Sequence, residues 1–205
     1  MKVHPYRPAD FAGAYSVCLA TGDAGEDATG TFADPNLLGH LYVGPYLALE
    51  PRHAFVLREG DEVLGYALGA LDTATFEARC EARWWPPLRA MYPRRAQRPA
   101  ADAALVASLH DPPRTPPARL EGYPSHLHLD LLPPAQGRGF GRRMMEAVLA
   151  SLFDAGSRGV HLGVARRNHR AIGFYRHLGF RDLEDEEDAC IMGLLPPEAP
   201  EGGRV

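Results

Sequence analysis

Gln136-Gly137-Arg138-Gly139-Phe140-Gly141 follows the apolar run Ser125 to Leu132 (SHLHLDLL) and precedes the amphipathic stretch Arg142 to Asp154. The order is strand, glycine-rich loop, helix. The first amide N–H groups of such a helix have no intrahelical acceptor and point back over the strand end, where they can hold an anion. Glycine at 137, 139 and 141 permits positive φ and close approach of a ligand, and Arg138, Arg142 and Arg143 add positive charge. Pyrophosphate suits this arrangement. A P-loop would need Gly-Lys-Ser/Thr, which is absent, and in a dinucleotide fingerprint, G-x-G-x-x-G, the third glycine would stand one position later. A tight strand-to-helix turn with purely structural glycines is the alternative reading.

Downstream, Gly159 to Val164 reads as a strand and His169 to Leu178 as a helix, followed by an acidic run, Glu184 to Asp188, and a last strand near Ala189 to Leu194. The alternation of strand and helix predicts parallel pairing between the strands at 125 to 132 and 159 to 164. The acidic run reads as a solvated hairpin loop.

Two motifs together resemble the GNAT (GCN5-related) N-acetyltransferase superfamily. Gln136, Gly139 and Gly141 match its Gln/Arg-x-x-Gly-x-Gly/Ala loop. Asn168-His169-Arg170-Ala171-Ile172-Gly173-Phe174-Tyr175-Arg176-His177-Leu178-Gly179-Phe180 matches its Asn-x-x-Ala-x-x-Phe-Tyr-x-x-Leu-Gly-Phe helix. The resemblance implies an α/β acyl-CoA N-acyltransferase fold, with a central mixed, mostly antiparallel sheet flanked by helices and splayed beside the cofactor. It implies acetyl-CoA as cofactor. The backbone of Gly137, Arg138, Gly139, Phe140, Gly141 and Arg142, after Gln136, would hold the pyrophosphate. The main chain of Leu131 and Leu132 would pair with pantetheine, Asn168 and Ala171 would lie along the same arm, and Phe174 would pack on the cofactor. Tyr175 would stand near the thioester sulfur as general acid, although its helical spacing with Ile172 and Leu178 equally suits a core aromatic.

Cys18-Leu19-x-Thr21-Gly22-Asp23-x-Gly25, Pro35-x-Leu37-Leu38-Gly39, Val43-Gly44-x-Tyr46, Gly65-Tyr66-Ala67-Leu68-Gly69 and Gly156-Ser157-Arg158-Gly159 are similar to the C-terminal acetyltransferase-like domain of O-GlcNAcase. That similarity spans most of the chain, without a glycoside hydrolase domain beside it. The animal domain is regarded as a pseudo-acetyltransferase lacking a usable cofactor loop, whereas Gln136 to Gly141 is intact here. Two functions follow: acetyl transfer to a small-molecule or peptide amine, or a catalytically silent acetyl-CoA-binding or protein-interaction module.

An amine acceptor must lose a proton, and the period of two along Ser125 to Leu132 puts His126, His128 and Asp130 on one face. Asp130, nearest the loop, is the first candidate base and His128 the second; alternating polar residues on a half-exposed strand are the plain alternative. Two histidines and an aspartate without a further thiolate or imidazole do not complete a zinc site, so no metal is expected. His161 and His169 read as surface or structural. Asp23, Glu26 and Asp27 would form an acidic mouth or a solvated turn. Arg94, Arg95 and Arg98 are candidates for the coenzyme's adenosine phosphate.

Toward the start of the chain, Ala9 to Ala20 carries apolar residues at helical spacing, and Asn36 to Leu49 reads as a helical piece ending in an irregular turn. His53 to Arg58 and Glu62 to Leu71, joined by Glu59-Gly60-Asp61, predict a hairpin. From 75 to 122, Trp84-Trp85-Pro86-Pro87, Tyr92-Pro93 and Pro112 to Pro117 predict a broken insert with one helical segment, Ala101 to Leu109, serving as a lid, a partner surface or a functionless insertion. If it were an interaction surface, an exposed apolar patch and a homodimer would follow. One domain over 1–195 with a flexible tail over 196–205 is expected from the length of 205 residues. A net charge of -4 carries no general footprint for nucleic acid, and three widely spaced cysteines fit reduced thiols. With no long apolar run and no signal-like start, a cytoplasmic protein is expected, not a membrane one.

Overall fold

Seven strands form one sheet in a computed structural model, which describes residues 1–197. The strands are β1 (Lys2–Pro5), β2 (Ala54–Glu59), β3 (Glu62–Ala70), β4 (Ser125–Leu131), β5 (Val160–Ala165), β6 (Arg181–Asp185) and β7 (Ala189–Leu194). Their order is β1-β2-β3-β4-β5-β7-β6. Every neighbouring pair is antiparallel except β4 and β5. That parallel pair is held only at Ser125 opposite Val160 and His126 opposite His161. Beyond His126 the two strands part, which gives the mixed, mostly antiparallel, splayed sheet implied by the sequence.

Helices cover both faces: α1 (Phe11–Ala20), α2 (Leu37–Tyr42), α3 (Gly44–Leu49), α4 (Thr73–Arg79), α5 (Trp85–Met91), α6 (Ala100–His110), α7 (Pro117–Gly122), α8 (Phe140–Asp154) and α9 (His169–His177). The pleat assigns side chains to two cores. Val56, Val63, Tyr66 and Leu68 pack with α1, α3 and α5, whereas Leu57, Leu64, Ala67 and Leu127 pack with α8 and α9. On α8 the buried residues Phe140, Met144, Met145, Val148 and Leu152 form one apolar stripe. Each fully buried side chain of this kind contributes about 1.5–3 kcal/mol, so the helix that begins at the glycine loop is firmly anchored.

Three expectations need correction. The segment from Thr73 to Met91 is helical almost throughout, passing from α4 to α5 by a π turn over Cys80–Trp84. Pro86 and Pro87 fall in the first turn of α5, where a missing N–H forfeits no helical bond, and the widened turn accommodates their rings. Trp85 is buried and Trp84 donates its Nε1–H to the His40 carbonyl, so this pair forms part of the fold and not an exposed patch. The acidic run begins inside a strand: Glu184 and Asp185 belong to β6, supported by Arg119 to Glu184 at 2.8 Å and Arg166 to Asp185 at 3.2 Å. His161 is structural, one of the two readings open to it: it is buried in the sheet and its Nδ1–H donates to the Tyr123 carbonyl at 2.8 Å. The edge strand β1 has no counterpart in the sequence reading. The tail expected over 196–205 lies, from residue 198 onward, outside the described residues.

Candidate active site

The glycine loop opens α8 with Gly139 as its N-cap at φ 78° and Gly137 at φ 69°. Both are left-handed conformations that a side chain resists. A Cβ at either position would meet no atom within 4 Å, so the space over the loop is open. No side chain caps the helix, and its first internal bond runs from the Arg143 amide to the Gly139 carbonyl. The amides of Phe140, Gly141 and Arg142 are thereby left for an outside acceptor. Gly141 has a different role: a Cβ there would lie 3.2 Å from Phe174 Cζ and 3.4 Å from Leu131 Cδ1, so its absence lets α8, α9 and the end of β4 close together.

Gln136 ties the loop to its neighbours. Its Nε2 donates to the Leu131 carbonyl at 2.7 Å, and its Oε1 accepts from Arg170. The Leu132 amide donates to the Leu64 carbonyl and the Leu132 carbonyl accepts from Ala135. Both main-chain groups of Leu132 are therefore engaged within the protein, which corrects the expectation that they pair with pantetheine. Because Leu132 turns toward β3 while the Ser125 amide bonds Gly159 on the β5 side, the alternation of the ladder turns Leu129 and Leu131 toward the splay. The main chain facing there is that of Leu129 and the Leu131 amide, the Leu131 carbonyl being held by Gln136.

Helix α9 connects the loop to a cavity of about 470 Å³ between the parted strands. Arg170 and Phe174 touch the loop, while Asn168, Ala171 and Tyr175 line the cavity together with His128 and Asp130. Asn168 caps α9, its Oδ1 accepting from the Ala171 amide at 3.0 Å. Its Nδ2 remains, facing Gly25. Tyr175 is nearly buried, and burial, with the charge of Asp130, raises its phenol well above the ordinary value. It is a neutral proton donor at pH 7.

The His126, His128, Asp130 row does lie on one face of β4, opposite Ala70, Leu68 and Tyr66 of β3. Each of the three is partly exposed. His126 is locked between the Tyr46 hydroxyl, 2.6 Å from Nε2, and the Thr73 hydroxyl, 2.7 Å from Nδ1. Burial, then His128 and His161, push its pKa well below the usual histidine range. His128 makes no side-chain hydrogen bond among the described residues; burial, then His161, lower it to about 4. Asp130 accepts from the Tyr66 hydroxyl at 2.5 Å, and burial raises it to about 6 against the opposing hydrogen bonds from Tyr66 and Thr21. The structure thus brings together Asp130, His128 and Tyr175, and leaves His126 as a structural member of the row. Thr21, Tyr46 and Tyr66 enter the sequence reading only as part of a resemblance, with no site role, and Thr73 does not enter it, since only the packing across the sheet sets them beside the row.

A strand pair that parts beside an uncapped glycine loop, with the second motif helix closing the cleft, invites comparison with known proteins. The acetyltransferase (GNAT) family model matches residues 103–180. SsHAT, a solved structure, is 38% identical, with a TM-score of 0.88, over 95% of this chain and 97% of that one. The chain belongs to the GNAT acetyltransferase family. Protein O-GlcNAcase of Rattus norvegicus is 29% identical over 198 residues, 93% of this chain. The chain spans only 22% of that relative's length, and the same holds for the Mus musculus protein. YncA of Salmonella typhimurium, a putative acetyltransferase solved with its cofactor acetyl-CoA, shares the fold at a TM-score of 0.57 and 16% identity.

Within this GNAT fold Asp23, Asp27, Arg94 and Arg98 already have partners in the chain. Asp23 is bound to Arg167, and Asp27 accepts from the Thr29 amide at 2.7 Å, so the acidic mouth is partly neutralised. Arg94 pairs with Asp111 at 2.5 Å and Arg98 donates to the Pro93 carbonyl. The arginines in contact with the glycine loop's own residues are Arg138 and Arg143, flanking the Phe140 ring at 5.6 and 5.4 Å, and Arg170. Cys18 borders the cavity, but burial, then Asp130, push its thiol up to about 12, which removes it as an acyl-accepting nucleophile. Among the described residues no three His, Cys, Asp or Glu side chains are grouped to hold a metal, and no helix is long and apolar enough to cross a membrane.

Proposed function

We propose that the chain transfers an acetyl group from acetyl-CoA to a primary amine by direct attack within a ternary complex. The observation that carries this reading is that Asp130, His128 and Tyr175 face one cavity, reached from the uncapped glycine loop along α9. The amides of Phe140, Gly141 and Arg142, in an open space bordered by Arg138 and Arg143, fit a pyrophosphate, and the splay-facing main chain of Leu129 with the Leu131 amide fits an extended amide-bearing arm. When bound, acetyl-CoA supplies an acetyl group activated as a thioester. As the amine nitrogen forms its bond to the acetyl carbon, its acidity rises and Asp130 accepts the proton it loses. The carbon–sulfur bond breaks and Tyr175 donates its proton to the departing thiolate, giving the N-acetylated amine and coenzyme A. Exchange with solvent restores both side chains. With Asp130 near 6 and His128 near 4, both are unprotonated at neutral pH, and Asp130 is the stronger base.

Calorimetric titration of acetyl-CoA into the wild type and Gly139→Asp tests the first half. The wild type binds and the variant does not, because a carboxylate side chain is forced onto a left-handed N-cap in the anion site. Ligand at 100 times its Kd stabilises the folded state by about 2.7 kcal/mol, visible in a thermal scan. No binding by the wild type would sink the reading. Binding without turnover of any amine would leave a silent coenzyme-binding module.

A further inference from the structure

A second cavity, of about 450 Å³, meets the first at the splay: Tyr42, Leu127, His128, Leu162 and Gly163 border both. Its walls are rings, among them Tyr46, Phe76 and Trp85, and its roof comes from Pro112, Pro113 and Pro116 in the connection between α6 and α7. The rings brace one another, with centroids 4.6 Å apart for Tyr46 and Phe76, 5.2 Å for Tyr46 and His128, and 5.3 Å for Phe76 and His126. A rigid apolar chamber of this size takes a molecule of drug-like dimensions or smaller.

The charges in its wall decide which amine. Glu77 accepts from the Thr115 amide at 3.0 Å and lies 3.7 Å from Arg114; Glu186 lies 2.7 Å from Arg119, whose side chain is only 8% exposed. Both carboxylates therefore already have cationic partners. Burial, the largest cause in each case, holds His126, His128 and His161 below their ordinary values, so they are neutral and add no anion. A second or third ammonium on the acceptor would be desolvated here without a partner. Rings and prolines instead reward an apolar body.

We infer that this chamber is the acceptor site, and that its substrate is a small primary amine with a single cationic centre on an aromatic or comparably apolar body, its nitrogen directed at the splay. The inference rests on the acetyl-transfer reading, since it takes the coenzyme to occupy the first cavity.

Phenethylamine and spermidine are the probes, each titrated calorimetrically into the full chain with and without saturating coenzyme A, and each assayed with acetyl-CoA for thiol release. Phenethylamine is expected to bind and to be acetylated at least about tenfold more efficiently than spermidine. Ser108 borders only this cavity, on a helix surface, so Ser108→Phe fills the chamber from its rim. That variant should lose at least about tenfold in phenethylamine affinity and bind coenzyme A as the wild type does. Preference for spermidine, no phenethylamine binding, or an unchanged affinity in Ser108→Phe overturns the inference. If coenzyme A fails to bind while phenethylamine still binds and Ser108→Phe abolishes it, the chamber stands and the acetyl-transfer reading falls.

Discussion

The Tyr66 hydroxyl donates to Asp130 Oδ2 at 2.5 Å across the β3–β4 ladder, where the two residues are direct partners. Tyr66 is buried and Asp130 partly so, and desolvation dominates, lifting the Asp130 carboxyl to about 6 although the bonds from Tyr66 and Thr21 favour its charged form. Tyr66 itself is pushed well above the tyrosine range by burial and by that carboxylate, so it remains the donor. The pair holds a carboxylate ready to accept a proton at neutral pH and no more acidic than it needs to be.

Tyr66→Phe keeps the ring in the core and deletes the donor. Losing a hydrogen bond to the carboxylate raises the Asp130 pKa further, so the acid limb of kcat/KM, expected near pH 6 in the wild type, moves to higher pH. A pH–rate profile with phenethylamine checks this. A limb that stays in place in Tyr66→Phe removes Asp130 as the titrating base.

Asp130→Asn should make the protein more stable and less active. The folded value of about 6 lies above the ordinary 3.8, so the folded state holds its proton more tightly. This contribution to stability is full below pH 3.8 and is lost as pH rises through 6. At about 1.4 kcal/mol per pH unit the loss at pH 8 comes to roughly 3 kcal/mol. Asparagine keeps an acceptor for Tyr66 and never ionises, so denaturant unfolding at pH 8 should show a gain of that order, with turnover lower by at least about 100-fold. A destabilised variant would mean that the buried charge is better compensated than the geometry indicates.

The histidines act in the opposite sense. His128 is lowered to about 4 against an ordinary 6.5, so its contribution is present above pH 6.5 and is lost as pH falls toward 4. Between pH 6.5 and 5 the unfolded chain gains a proton that the folded His128 refuses, worth about 2 kcal/mol, and His126 and His161 add in the same direction. Over the same window Asp130 offsets part of the loss. Wild-type stability measured by urea unfolding should fall from pH 7 to pH 5, and His128→Gln should fall by less. Equal losses in the two proteins would show that His128 is charged or solvated in the folded state.

What could be read from the sequence was local. The glycine loop and the α9 motif are contiguous, so order and spacing alone placed them at a strand end and along one helix. The alternation in β4 likewise put His126, His128 and Asp130 on one face. Their surroundings were set by register, which no local pattern contains: Tyr66 reaches Asp130 through the β3–β4 pairing, and His161 joins His126 through a parallel ladder only two residue pairs long. The acidic strand β6 was hidden for a similar reason, because the arginines that balance it, Arg119 and Arg166, come from α7 and from the end of β5. Pro86 and Pro87 read as breakers because proline breaks a helix interior, yet it suits a first turn, and the π turn that makes their position a first turn leaves no mark in composition.

Asn168 separates two roles that a single substitution would confound. Its Oδ1 caps α9 through the Ala171 amide, while its Nδ2 lies beside Gly25 at the cavity wall, 3.0 Å from where a Cβ on that glycine would stand. Asn168→Ala removes both groups and should cost about 0.5–2 kcal/mol of stability, as loss of an N-cap does. Asn168→Asp retains the capping oxygen and adds a charge favourable at a helix N-terminus, so stability should hold or rise slightly. If Nδ2 donates to the pantetheine arm, both variants lose coenzyme affinity, and the aspartate loses more because its second oxygen meets an acceptor where a donor is required. Thermal unfolding alone and calorimetry with coenzyme A distinguish the cases: wild-type affinity in Asn168→Asp would reduce Asn168 to a helix cap and shift recognition of the arm to the main chain of Leu129 and the Leu131 amide.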